Sequence, residues 1–204
     1  RFGTNQSFCT RVFTSDFSGG RLYKLSDQFD YSHMGWRSDT EFAIYARRST
    51  QLGTAYSKMT NSKRPFLSAM VGCYRKLKPL IPSRYVARSA AQCGYALVED
   101  GKDGGRLLDT GPLYLDGHPS WTRSGCYMLT DTYADDEGFR HLILYDAVQD
   151  RAHTLGRFWS PYNNSGYRCD LHPRFSPDER LVIIDTAHNG RRQILVLELD
   201  WSKF

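Results

Sequence analysis

The chain has no apolar run near the roughly 20 residues that a membrane-spanning helix needs. Its longest apolar stretches, such as FLSAMVGCY at 66–74, are short and lie among lysines and arginines. There is no Gly-rich phosphate loop, His-Glu-x-x-His, Gly-x-Ser-x-Gly or paired Cys-x-x-Cys. The chain therefore lacks the signatures of a P-loop, a metalloprotease helix, a hydrolase nucleophile elbow and a zinc ribbon. Cysteine is sparse: Cys9, Cys73, Cys93, Cys126 and Cys169 are odd in number and do not have the spacing of a disulfide framework. They read as buried thiols and leave the compartment open. Acidic residues are missing altogether between Phe42 and Val98.

That gap localises the net charge of +5. Arg47, Arg48, Lys58, Lys63, Arg64, Arg75, Lys76, Lys78, Arg84 and Arg88 all fall inside it. Such a block is either a solvated basic loop or a surface for an anionic partner: nucleic acid, acidic polysaccharide or membrane. Residues 49–92 read as a basic insertion within a larger unit, with a short amphipathic helix expected before Pro82. The acidic group Asp131, Asp135, Asp136 and Glu137 reads as a solvated loop rather than a calcium site. No convincing opposed carboxylate pair for glycoside hydrolysis is found, and Asp131 and Asp185 read as structural strand ends.

What the chain does have is repetition. His118-Pro119-Ser120-Trp121 aligns on His172-Pro173-Arg174-Phe175, a spacing of 54 residues. YMLTDT (127–132) then falls beside LVIIDT (181–186), and HLILYD (141–146) beside QILVLEL (193–199). A weaker copy begins at YSHMGWRSD (31–39), where His33 and Trp36 match His118 and Trp121. Each copy yields short strands rich in β-branched and aromatic residues, separated by turn signals such as RSG, DDEG and DAVQD. Four strands per unit of this length is propeller-blade arithmetic, and no 3.6-residue period competes. The expected fold is all-β: a β-propeller of four-stranded blades, about three to four in this chain, with 1–204 forming part of a single domain. TRVFTSDF and GRLYKLS read as outer strands of a preceding blade. The chain begins at Arg1 rather than Met. The expectation is a piece of a longer protein, its remaining blades absent from this chain or supplied by association.

PRFSPDERLVIID with RRQILVLEL resembles the TolB-like propeller repeat, with Glu179 where that repeat usually has glycine. DYSHMGW, DGHPSW, LTDTY, RCDLHPRFSPD and GRRQI are together similar to the propeller polysaccharide lyases of the oligogalacturonate and ulvan lyase type. The resemblance covers most of the chain outside the basic insertion. It implies cleavage of an acidic, uronate-containing polysaccharide by β-elimination, with a metal near the propeller axis. It also implies that His118 and His172 match histidine ligands and that Cys169 stands in the place of a glutamine ligand. In the ulvan lyases a catalytic histidine pair lies in blades that would precede residue 1.

Residues that start successive inner strands ring the axis of a propeller, so His33, His118 and His172 are expected to converge. With Cys169 they form a candidate metal site, and a thiolate favours zinc over manganese. A closed site of this kind would be structural; one with an open position would polarise a substrate carboxylate. Candidate catalytic residues are His33 as base with Tyr31 beside it, and Arg11 and Arg174, together with Arg168, as carboxylate partners. Cys126, His141, His153 and His188 read as core, surface or packing residues. The competing reading is a non-catalytic propeller that binds an anionic glycan or protein partner. Nucleic acid is not favoured as the partner, and a bacterial-type secreted or periplasmic place is favoured over the cytoplasm.

Overall fold

The structure is a computed structural model, and it describes residues 10–26, 29–48, 93–108, 111–161 and 168–204. The basic insertion and its expected helix, 49–92, lie outside the described residues. The described elements are strands and two short 3₁₀ turns, Gly111–Tyr114 and Trp201–Lys203.

The strands form four antiparallel sheets that follow chain order. A two-stranded sheet, β1 (Phe13–Ser15) with β2 (Leu22–Lys24), comes first. Blade A is β3 (Phe29–Trp36), β4 (Glu41–Arg48), β5 (Cys93–Glu99) and β6 (Arg106–Leu107). Blade B is β7 (Ser120–Trp121), β8 (Tyr127–Asp131), β9 (Phe139–Asp146) and β10 (Arg151–Trp159). Blade C is β11 (Arg174–Phe175), β12 (Leu181–Thr186) and β13 (Gln193–Glu198). Sequential up-and-down strands in separate small sheets are the build of a propeller, and the strands read from the repeat coincide with those observed.

The blades stack face to face, and each interface is an apolar layer. Leu25, Tyr31, Phe42, Ile44, Ala46 and Val98 fill the layer beside the two-stranded sheet. Ala43, Tyr95, Leu97, Met128, Ile143 and Tyr145 lie between blades A and B. Leu129, Leu142, Leu144, Leu171, Val182 and Ile184 lie between B and C. A middle blade is buried on both faces, so β9 carries the continuous buried run Leu142, Ile143, Leu144 and Tyr145 rather than an alternating pattern.

The inner strands of neighbouring blades touch at equivalent positions. Ser120 Oγ donates to the Pro173 carbonyl at 2.9 Å. At the matching place in blade A, a Cβ on Gly35 would lie 2.6 Å from the Pro119 carbonyl oxygen, so only glycine fits. The first turns also clip blade to blade. Arg37 Nε donates to the Gly125 carbonyl at 2.8 Å, and the Arg123 amide donates to Glu179 Oε1 at 2.6 Å. Gly125 and Glu179 occupy the same turn position, with φ of 68° and 59°. Glycine is the ordinary solution there; Glu179 accepts a left-handed backbone and uses its side chain on the next blade.

Candidate metal centre

The three histidines meet. The His33 and His118 ring centroids are 4.2 Å apart, and those of His118 and His172 are 4.1 Å apart. His118 and His172 lie just ahead of β7 and β11 and His33 lies within β3, each at the inner strand of its blade. His33 reaches its place through a register irregularity in β3 between Tyr31 and Met34, a bulge that re-aims the side chain. His172 has a φ of 43°.

Each ring has a carboxylate at Nδ1. His33 Nδ1 lies 3.1 Å from Asp116 Oδ1, and His118 Nδ1 lies 2.9 Å from Asp131 Oδ1. His172 Nδ1 lies 3.4 Å from Asp185 Oδ2, a looser contact with both side chains about half exposed. With Nδ1 engaged, Nε2 is the nitrogen left to bind an ion, the usual carboxylate–histidine–metal arrangement. Donor atoms of His118, Asp170 and His172 all lie within 4.8 Å of one another. Two imidazoles and a carboxylate are a sound donor set for a divalent metal, so these residues fit one.

Asp170 is held from two sides. Arg140, 1% exposed, contacts Asp170 Oδ1 at 2.7 Å, and Arg168 Nε contacts Oδ2 at 2.9 Å. Arg168 also lies over the Tyr133 ring, 4.9 Å from its centroid, and Tyr133 stands edge-on to both His33 and His118. Beside the cluster is a cavity of about 290 Å³, whose lining includes Arg168, Asp170, His172, Asp185 and Arg192.

The charges tune one another. The hydrogen bond to Asp116 raises the pKa of His33; burial opposes it, and the fields of Asp116, Asp131 and Asp170 reinforce it. Burial pushes the Asp131 carboxyl up, but its bonds to His118 and to the His172 amide outweigh burial and hold it below the ordinary value. Burial, with Asp116 nearby, raises the Tyr133 phenol and keeps it protonated. Burial likewise raises the Cys169 thiol.

The other expected site residues sit as follows. Cys169 is buried, its Sγ toward the Asp170 carbonyl at 4.0 Å, and it is outside the donor group. His33 is beside that group rather than in it. Tyr31 is in the apolar layer next to Leu25 and Phe42, its hydroxyl donating to the Ser26 carbonyl at 3.1 Å. Arg11 is exposed ahead of β1. Arg174 is exposed on β11 and donates to the Pro173 carbonyl at 2.8 Å. The site residues not read from the sequence are the carboxylates Asp116, Asp131, Asp170 and Asp185, with Arg140, Arg192 and Tyr133 beside them. The carboxylates carry a repeat signal: Asp-x-His-Pro occurs at 116–119 and again at 170–173, and Asp131 falls on Asp185 in the aligned strands.

No protein-family model matches the chain, and no curated protein matches it. Solved structures do. TolB from Acinetobacter baumannii is 16% identical with a TM-score of 0.55, covering 94% of this chain and 35% of that one. An oligogalacturonate lyase in complex with manganese is 14% identical with a TM-score of 0.57, covering 93% of this chain and 41% of that one. The fold is that of a TolB-like β-propeller. The chain thus spans well under half the length of either propeller.

Proposed function

We propose that this chain is part of a metal-dependent propeller lyase that cleaves an acidic, uronate-containing polysaccharide by β-elimination. The observation that carries the reading is the group His118, Asp170 and His172, backed by carboxylates that turn the two imidazoles outward. The likeness in fold to a manganese-bound oligogalacturonate lyase supports it. The thiolate on which a preference for zinc rests is not in the group, and the nitrogen and carboxylate donors suit manganese or zinc.

The reaction removes the proton alpha to a uronate carboxylate and expels the 4-linked oxygen. A bound divalent ion would neutralise that carboxylate and make the proton more acidic. Arg168 and Arg192, at the cavity beside the group, offer planar guanidinium forks to the same anion or its neighbour. His33 takes the proton: Asp116 holds its Nδ1–H and stabilises the imidazolium that forms. Tyr133 is protonated, faces both His33 and His118, and is placed to give a proton to the leaving oxygen.

The test is to incubate the full-length protein with pectic, ulvan-type and glycosaminoglycan substrates in the presence of Mn²⁺ or Zn²⁺ and follow ultraviolet absorbance of the unsaturated product. Rising absorbance on one uronate class is expected, with loss of about 10²-fold or more in His33→Ala. A flat trace on every substrate by a metal-loaded protein would overturn the lyase reading and leave a propeller that binds an anionic glycan or protein partner.

A further inference from the structure

Asp131 serves two blades at once. It ends β8 in blade B and is fully buried. Its Oδ1 accepts from the His118 amide at 2.7 Å and faces His118 Nδ1 at 2.9 Å. Its Oδ2 accepts from the amides of Leu171 at 2.9 Å and His172 at 3.2 Å, across the blade boundary. The chain is shaped around this residue. A Cβ on Gly117 would fall 1.8 Å from the Asp131 carbonyl oxygen, so no side chain is possible where the next repeat has Leu171.

We propose that Asp131 is the positioning residue of the metal centre: a single carboxylate sets the tautomer of His118 and the backbone of His172, so that both rings offer Nε2 to one ion. The proposal rests on the metal reading above. An ionised carboxylate only accepts, so the Nδ1 facing it carries the proton and Nε2 keeps its lone pair. The paired amides of Leu171 and His172 pin a loop in which His172 has a φ of 43°, which non-glycine residues seldom adopt. Strand pairing shows that the role is particular to Asp131. Its counterpart in blade A is Tyr45, whose hydroxyl donates to the Tyr114 carbonyl, and His33 turns to Asp116 instead. Its counterpart in blade C is Asp185, half exposed and 3.4 Å from His172 alone.

An asparagine at position 131 cannot serve every donor. Its amide nitrogen would face either the His118 amide, with Nδ1 beside it, or the two amides of blade C, donor against donor in each case. Two measurements on the full chain test this. Nitrogen NMR of the metal-free wild type should show His118 with its proton on Nδ1. Calorimetric titration with Mn²⁺ and with Zn²⁺ should show Asp131→Asn about ten- to a hundredfold weaker than wild type, with Asp185→Asn affected far less. A wild-type His118 protonated on Nε2 overturns the proposal, and so does a folded Asp131→Asn that binds both ions as tightly as wild type. If Asp131→Asn does not fold, the wild-type tautomer decides. A wild type that binds neither ion overturns the metal reading, whereas binding with the wrong tautomer overturns the role of Asp131 alone.

Discussion

Glu179 shows how one residue balances two demands. Its backbone has a φ of 59°, and its side chain accepts from the Arg123 amide of the neighbouring blade. Glu179→Ala loses the bond and keeps the strained backbone, so it should cost about 1 kcal/mol. Glu179→Gly loses the same bond but relieves the backbone and should cost less. Urea midpoints at constant slope will rank the two. The pKa shifts give a second prediction at this scale. His33 is raised by its bond to Asp116, so the pair's stabilisation is complete below the ordinary histidine value and fades as pH rises through the raised one. Asp131 is lowered, so its contribution is complete above the ordinary carboxylate value and is lost as pH falls through the lowered one. The stability gap between wild type and His33→Gln, measured by denaturation across neutral pH, should therefore shrink as pH rises. A gap that widens would contradict the His33–Asp116 pair.

Among elements, strand pairing makes the three blades directly comparable. Ala43, Tyr95 and Leu97 in blade A match Leu129, Leu142 and Leu144 in blade B and Ile183, Ile194 and Val196 in blade C. In A and B these triplets are buried under the next blade. In C they are 37%, 70% and 53% exposed. Leu144→Ala should cost about 2–5 kcal/mol, and Val196→Ala within about 0.5 kcal/mol in this chain. Comparable losses at both positions, read by thermal melting, would mean that the face of blade C is covered in solution. Much of this was legible in the sequence, because alternation, turn residues and the repeat all point one way. The bulge before Met34 was not, since a one-residue irregularity leaves no compositional trace.

For the whole molecule, convergence of the histidines followed from one idea, that inner-strand starts encircle an axis. Their supporting groups were harder to read. Asp170, two before His172, joins the donor group, while Cys169, three before, lines the adjoining cavity without joining it. The doubled Asp-x-His-Pro text held that information. Asp131 could not be recognised as a hub, because two of its partners, the Leu171 and His172 amides, lie in another blade and only folding brings them to it. The most direct measurement is elemental analysis of the purified chain after equilibration with Mn²⁺ or Zn²⁺ and removal of excess ion. The account predicts about one ion per chain, lost in the double variant His118→Ala, His172→Ala. A folded double variant that keeps its stoichiometric ion, or a wild type that holds none, would contradict it.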